Sequence, residues 1–177
     1  GALSTNKSSQ FSKMRIAGFV HRDVKPNNIL FDHRGCAKLA DMGFAKSFDL
    51  AGQSGITTDE IGGTPFYMAP EQILDYRFVR PSADVYSVGV CFYYLLTGKF
   101  HYDFPSPLDR VRGWAGQGRS EHPFDLILNE RHIPIKRRLP GLSQPLAEVV
   151  EKCLQGRGQD RFQDAGELMA AFKTALA

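Results

Sequence analysis

The chain has 177 residues, of which 42% are hydrophobic and 23% are charged, and this composition is typical of one soluble globular domain. Its net charge of +3, from 22 basic and 19 acidic residues, is too small to favour a nucleic-acid or membrane surface. The three cysteines, Cys36, Cys91 and Cys153, are too far apart for a disulfide framework or a zinc site, and they favour a reducing, cytoplasmic location.

Short strands around a polar loop are predicted at the beginning of the chain. Residues 1–13 are mostly Ser, Asn, Lys and Gln, which predicts a flexible or truncated start. Residues 16–20 form an apolar, strand-like run, although no run in the sequence approaches the length of a membrane span. A turn signal at residues 32–35 separates two short apolar runs, 29–31 and 37–40, and so predicts a β-hairpin.

The rest of the chain is predicted to contain one long loop followed by helices. Residues 44–63 lack periodicity and are rich in Gly, Ser, Thr and Asp, as in functional loops. Residues 84–97 are apolar nearly all round, which predicts a buried core helix. Capping signals predict three further helices, beginning at Ser106, Ser143 and Asp164.

The loop at residues 21–28 combines three side chains that suit phosphoryl transfer. Asp23 can accept a hydroxyl proton, Lys25 can neutralise a phosphate, and the amide oxygen of Asn28 can bind a metal ion. The loop, His-Arg-Asp-Val-Lys-Pro-Asn-Asn, resembles the catalytic loop of protein kinases, whose pattern is H-R-D-x-x-x-x-N. Its lysine is similar to that of the serine/threonine type.

Three further motifs resemble the protein-kinase family and follow in the family's order. Residues 41–43, Asp-Met-Gly, resemble D-F-G, with the apolar Met in the Phe position. Residues 63–71, Gly-Thr-Pro-Phe-Tyr-Met-Ala-Pro-Glu, resemble the end of the activation loop at A-P-E. Residues 84–89, Asp-Val-Tyr-Ser-Val-Gly, are similar to the family's D-x-W-S-x-G. These details look most like bacterial serine/threonine kinases of the eukaryotic-like type.

The resemblance implies catalytic roles for Asp23, Lys25, Asn28 and Thr64, and a cofactor- and metal-binding role for Asp41. Asp23 would orient the substrate hydroxyl and take its proton, and Lys25 would stabilise the transferring phosphoryl group. Asn28 and Asp41 would hold Mg²⁺ against the phosphates of ATP. Thr64 would help to position a Ser/Thr substrate.

Other residues would have structural or regulatory roles in such a kinase. Glu71 would form a buried ion pair with Arg161, and removal of one partner would cost about 3–5 kcal/mol. His21, a possible general base in isolation, would be a packed structural residue. Asp84 would anchor the catalytic loop and can at the same time be an acid favoured by the helix dipole, and neither role makes it a catalyst. Arg22 would meet a phosphorylated loop residue, for which the candidates are Thr57 and Thr58, although lone threonines in a polar loop are often only solvated.

The resemblance extends from about Phe11 to the end of the chain, but only to one lobe of the family. No G-x-G-x-x-G loop and no V-A-I-K-like lysine precedes His21. The expected fold is the mainly α C-lobe of an α+β protein kinase, with short β-hairpins around the catalytic loop. This lobe would span residues 14–177 and contain the activation segment at 41–71. The N-lobe is expected on upstream sequence, so the chain alone should be weakly active or inactive.

Two functions from different classes are therefore open. The first is a serine/threonine protein kinase that uses ATP and Mg²⁺ and acts on a protein substrate. The second is a non-catalytic, pseudokinase-like scaffold that binds proteins through its helical surface. A small-molecule phosphotransferase of the aminoglycoside-kinase type is a third interpretation, against which the A-P-E segment and the helix at Asp84 argue.

Overall fold

The computed structural model describes residues 18–48, 65–105 and 123–177. Four short strands come first: β1 (Gly18–Val20), β2 (Ile29–Phe31), β3 (Ala37–Leu39) and β4 (Lys46–Phe48). Six α-helices follow in the described ranges: α1 (Pro70–Leu74), α2 (Pro81–Thr97), α3 (Pro123–Asn129), α4 (Ile135–Arg138), α5 (Gln144–Cys153) and α6 (Ala165–Ala175). The described part of the chain is thus mainly helical, with its strands at the N-terminal end.

The predicted hairpin is confirmed. Strands β2 and β3 pair antiparallel, in a register that sets Ile29 opposite Leu39. The turn between them is closed by the Asp32 carboxylate, which accepts a hydrogen bond from the backbone N–H of Cys36 at 2.9 Å. Gly35 has a φ of 75°, in the left-handed region that glycine adopts without a steric cost.

The second sheet corrects the prediction that residues 44–63 begin as a loop. Strand β4 (Lys46–Phe48) pairs antiparallel with β1, so that Val20 lies opposite Lys46. Three residues form too short a pattern for a strand to be predicted. In addition, the partner strand is a distant segment of the chain and not a neighbouring hairpin arm. Residues 49–64 and the helix predicted at Ser106 lie outside the described residues.

Helix α2 is the centre of the core. It begins at Pro81, three residues before the predicted start, since proline suits the first helical position. The main cluster of buried apolar side chains joins α2 to β1, α4 and α5, and includes Val20, Tyr86, Val90, Tyr93, Ile135, Val150 and Leu154. The prediction of burial along the whole helix is wrong for the last turn, where Leu95 is 67% exposed. The core cluster ends at Tyr93, and Leu95 lies outside it.

The C-terminal helices begin at the predicted capping residues. Ser143 precedes α5 but makes no side-chain capping bond, whereas the Asp164 carboxylate accepts from the backbone N–H of Glu167 at 2.9 Å at the start of α6. Leu168 of α6 is buried, whereas Met169 beside it is 55% exposed. No helix within the described ranges is long and apolar enough to span a bilayer.

Gly89 sets the separation between α2 and α5. A Cβ atom built at Gly89 would lie 2.5 Å from Cβ of Cys153 and 3.4 Å from a methyl carbon of Leu154. Carbon atoms in a packed interior do not approach to 2.5 Å, so the two helices come this close only because position 89 lacks a side chain.

We expect Gly89→Ala to destabilise the fold, although alanine is the better helix former by about 1 kcal/mol. The added methyl group must push α5 away from α2, and such overpacking typically costs about 1–3 kcal/mol. Urea denaturation measures the change in the free energy of unfolding. Gly141→Ala is the matched control, since a Cβ there has no atom within 4 Å. Equal stability of the two variants would contradict the proposed close contact.

Candidate active site

The loop between β1 and β2 places three polar side chains in direct contact. Nζ of Lys25 lies 2.7 Å from Oδ2 of Asp23, and the two side chains are 19% and 3% exposed. Nδ2 of Asn28 donates to the same carboxylate oxygen at 3.0 Å and to the Asp23 carbonyl at 2.8 Å. Because both of these partners only accept, the amide oxygen of Asn28 is left for another ligand. The structure therefore brings together the acid, the ammonium and the amide that the sequence singles out.

A short 3₁₀ helix, Pro26–Asn28, produces this arrangement. Pro26 occupies its first position, where the fixed φ of proline suits a helical turn. The backbone N–H of Asn28 donates to the carbonyl of Lys25 at 2.9 Å. This tight turn folds the loop back, and Asn28 thereby reaches Asp23, five residues before it in the chain.

Asp41 follows a residue that is bonded to both ends of this loop. The backbone N–H of Ala40 donates to the carbonyl of Asn28 at 2.8 Å, and its carbonyl accepts from Nε2 of His21 at 3.0 Å. Asp41 itself is exposed, has a left-handed φ of 60°, and accepts a bond from the N–H of Gly43 at 3.3 Å. Its carboxylate is thus available to a ligand beside the loop.

The ring of His21 is occupied by backbone contacts on both sides. Nδ1 faces the N–H of Asp23 at 3.4 Å, and Nε2 faces the carbonyl of Ala40 at 3.0 Å. An N–H group can only donate and a carbonyl can only accept, so the proton is assigned to Nε2. His21 is 6% exposed and in this tautomer has no free nitrogen for a substrate proton.

Asp84, in the first turn of α2, holds the start of the loop. Its Oδ2 accepts from the backbone N–H of His21 at 2.7 Å, and its Oδ1 accepts from that of Arg22 at 2.8 Å. Burial raises the pKa of Asp84, because a buried carboxylate loses hydration, while the two N–H groups oppose the rise. Arg22 has a φ of 70°, so this clamp acts on a residue in the left-handed region.

The side chain of Arg22 is almost fully buried. It is 2% exposed, and its guanidinium carbon lies 4.7 Å from the ring centre of Tyr76, as in a cation–π contact. Nε and Nη1 have no hydrogen-bond partner among the described residues. Burial lowers the pKa of Arg22, and the nearby Tyr76 and Asp84 partly offset this effect. The guanidinium group therefore retains unused donors.

Glu71 and Arg161 form a bidentate ion pair. Nη1 and Nη2 of Arg161 lie 2.7 and 2.9 Å from the two carboxylate oxygens of Glu71. The Arg161 side chain is 0% exposed and also donates to the carbonyls of Ser82, Gln155 and Gly156. All five guanidinium hydrogen bonds point to fixed acceptors, so the pair joins α1 to the segment before α6.

Two residues that the sequence analysis did not single out connect the same elements. Gln72 is 0% exposed and donates from Nε2 to the carbonyl of Arg22 at 3.0 Å. The Ser87 hydroxyl donates to the carbonyl of Tyr67 at 2.8 Å. Glutamine at the third position of a helix is a capping signal, but its distant partner is visible only in the folded chain.

Three of the predicted site residues lie outside the described residues. Thr64, the candidate for substrate positioning, belongs to this group, as do Thr57 and Thr58, the candidates for phosphorylation. Within the described ranges, no three His, Cys, Asp or Glu side chains are arranged to hold a metal ion by themselves. A metal site here would therefore have to draw on other ligands.

We expect Asp84→Asn to loosen the loop. One carboxylate oxygen becomes an NH₂ group, which cannot accept from an N–H, so one of the two loop amides loses its partner at a cost of about 1–3 kcal/mol. Asp125→Asn removes the same charge from an exposed site in the first turn of α3. Urea denaturation compares the two variants. Equal losses would indicate that Asp84 acts only through the helix dipole.

Comparison with known proteins agrees with this geometry. Residues 11–172 match the profile of the protein kinase domain. The chain is 35% identical over 153 residues to serine/threonine-protein kinase PknB of Mycobacterium tuberculosis, a match that covers 86% of the chain and 22% of that protein.

Two further relatives are also named as kinases. Identity is 51% over 82 residues to serine/threonine-protein kinase PknL of Mycobacterium tuberculosis (46% of the chain, 20% of the relative). The chain is 36% identical over 147 residues to wall-associated receptor kinase-like 1 of Arabidopsis thaliana, a match that covers 80% of the chain and 19% of that protein. The chain spans about a fifth of the length of these relatives. Since the domain profile matches nearly the whole chain, the chain belongs to the protein kinase family.

Proposed function

We propose that residues 14–177 are the C-lobe of a serine/threonine protein kinase, with the activation segment at 41–71. Together with an N-lobe, this C-lobe would transfer the γ-phosphate of ATP to Ser or Thr hydroxyls of a protein substrate. The observation that carries this proposal is the contact of Lys25 and Asn28 with the buried Asp23 carboxylate. Similarity to serine/threonine-protein kinases PknB and PknL supports the serine/threonine type. The bacterial, eukaryotic-like type and a cytoplasmic location of this lobe are part of the proposal.

Asp23 is the residue proposed to act on the substrate. Its carboxylate orients the hydroxyl group and accepts its proton as the oxygen–phosphorus bond forms and ADP leaves. Lys25, which already lies 2.7 Å from Asp23, places positive charge beside the transferring phosphoryl group. Thr64 is proposed to help to hold the substrate residue. Most of the catalytic effect then comes from positioning and charge, as phosphoryl transfer requires.

The residues present fit a Mg²⁺ ion that is shared with ATP. Asn28 has its amide nitrogen engaged and its oxygen available, and Asp41 has an exposed carboxylate. Mg²⁺ prefers such hard oxygen ligands, and it completes its shell with phosphates and water where the protein supplies one or two groups. When bound, the ion would neutralise phosphate charge. Asn28 and Asp41 are therefore the proposed metal ligands.

An exposed apolar patch beside the loop supports a second lobe. Five side chains on and near the strands have 47–71% exposure: Phe19, Leu30, Phe31, Leu39 and Met42. Leu30 and Phe31 are consecutive strand residues and point to opposite faces of the hairpin, so a partner has to contact it on both faces. We propose that a kinase N-lobe and the adenine of ATP cover this patch, which gives Met42 the packing contacts that it lacks here.

We expect the chain alone to bind Mg·ATP weakly and to phosphorylate casein slowly. A fusion with a protein-kinase N-lobe ahead of residue 14 should transfer phosphate much faster, because the patch and the phosphates are then covered. In this fusion Asp23→Asn should lower the rate by roughly 10²–10⁴-fold. Radiolabelled ATP and phosphoamino-acid analysis measure rate and product.

The matched control for this experiment is Asp125→Asn, which removes the same charge from an exposed helix start. Rapid transfer by the chain alone, abolished by Asp23→Asn, would show that an N-lobe is unnecessary. Phosphotyrosine as the product would contradict the Ser/Thr specificity. A folded fusion without transfer would favour the alternative, a pseudokinase-like scaffold.

We also propose that Arg22 receives a phosphate on Thr57 or Thr58. The unused donors on its buried guanidinium group support this role, since an unpaired buried cation gains strongly from an anionic partner. The opposing interpretation is that the contact with Tyr76 is its whole function.

We expect phosphorylation of Thr57 or Thr58 to raise the transfer rate of the fusion. In Arg22→Gln, the phosphorylated and the dephosphorylated protein should transfer phosphate at nearly the same rate. Phosphatase treatment and mass spectrometry define the two states, and Thr57→Ala and Thr58→Ala identify the site. An active protein without phosphate on Thr57 or Thr58 would contradict the proposal, as would an unchanged effect of phosphorylation in Arg22→Gln.

A further inference from the structure

Gln72 connects the end of the activation segment to the catalytic loop. Its Oε1 accepts from the backbone N–H of Ala69 at 3.1 Å, and its Nε2 donates to the carbonyl of Arg22 at 3.0 Å. Because one partner only donates and the other only accepts, both contacts assign the same orientation to the amide. The side chain is 0% exposed, so water does not compete for these bonds.

The carbonyl that Gln72 binds belongs to a strained residue. Arg22 has a φ of 70°, and this left-handed conformation costs a residue with a side chain roughly 1–2 kcal/mol. Such a conformation persists only where surrounding contacts determine it. Two peptide groups flank Arg22, and each has its own partner. Asp84 binds the N–H on one side, and Gln72 binds the carbonyl on the other.

We infer that Gln72 is a positioning residue for Asp23 in the phosphoryl transfer proposed above, on which this inference rests. The peptide group that Gln72 holds joins Arg22 to Asp23 and therefore sets the direction of the Asp23 side chain. Without the donor at position 72, this peptide can rotate and release the strain at Arg22. Asp23 then moves away from Lys25 and Asn28.

Glu71, the residue before Gln72, attaches the same helix to another part of the domain. Glu71 binds Arg161, so α1 is attached to the segment before α6 on one side and, through Gln72, to the catalytic loop on the other. Helix α1 therefore holds the peptide before Asp23 in a fixed position relative to the segment before α6. The geometry of the acid depends in this way on one side-chain amide.

The test begins with hydrogen exchange of the 177-residue chain, which needs no catalytic activity. Gln72→Met keeps the length of the side chain and removes both hydrogen bonds. Gln72→Asn keeps the amide but is too short to reach both partners. We expect the backbone amides of Arg22 and Asp23 to exchange at least tenfold faster in both variants, while the core of α2 stays protected.

Ser87→Ala is the matched control for a lost buried hydrogen bond. It removes the bond to the Tyr67 carbonyl and should increase exchange near residue 67 without affecting Arg22 and Asp23. Unchanged exchange at Arg22 and Asp23 in Gln72→Met would overturn the inference. Equal loss of protection throughout the domain would also overturn it, since Gln72 would then be a general stabilising residue.

The kinetic part uses the fusion with an N-lobe. We expect Gln72→Met to lower kcat at least tenfold with little change in the KM for ATP, because the loss concerns the acid and not the nucleotide. An equal change in kcat and KM would contradict a positioning role. If the fusion without any substitution transfers no phosphate, the proposed function fails, whereas the exchange result still decides whether Gln72 holds the loop.

Discussion

The contact between the Asp84 carboxylate and the backbone of the loop at residues 21–28 is the constraint on which the other features depend. Both oxygens accept from consecutive N–H groups, those of His21 and Arg22, at 2.7 and 2.8 Å. Asp84 belongs to α2, the helix around which the core is built, so the loop is attached to the most deeply packed element. A carboxylate can serve two donors in this way, and its burial makes the interaction strong while raising its pKa.

The end of the proposed activation segment is attached to the same framework at three points. Arg161 binds Glu71 with two hydrogen bonds, Ser87 binds the carbonyl of Tyr67, and Gln72 binds the carbonyl of Arg22. Each contact uses a side chain with little exposure and a partner far along the chain. This part of the chain is therefore held rigidly with respect to the loop at residues 21–28, which suits the proposed role of holding a substrate against Asp23.

Local signals explain how much of the fold could be predicted. The hairpin follows from the turn at Asp32 and Gly35, and α6 begins at the predicted capping residue, Asp164, because these signals act within a few residues. The errors concern features that depend on distant neighbours. Strand β4 exists because β1 lies beside it, and Leu95 is exposed because it lies outside the core cluster, which ends two residues earlier at Tyr93. Neither the pairing of β4 nor the limit of the core is visible from the pattern of the segment itself.

The same distinction between local signals and distant contacts applies to the candidate site. By itself, the sequence determined the chemical groups and their local spacing: Asp23, Lys25 and Asn28 lie in one loop, and a proline-led turn is sufficient to bring them together. Only the tertiary structure decided the conformation in which they are held, since the strained Arg22 depends on Asp84 and Gln72, which lie 62 and 50 residues away along the chain. A left-handed residue is not stable through its own propensity and needs partners that only the folded chain supplies.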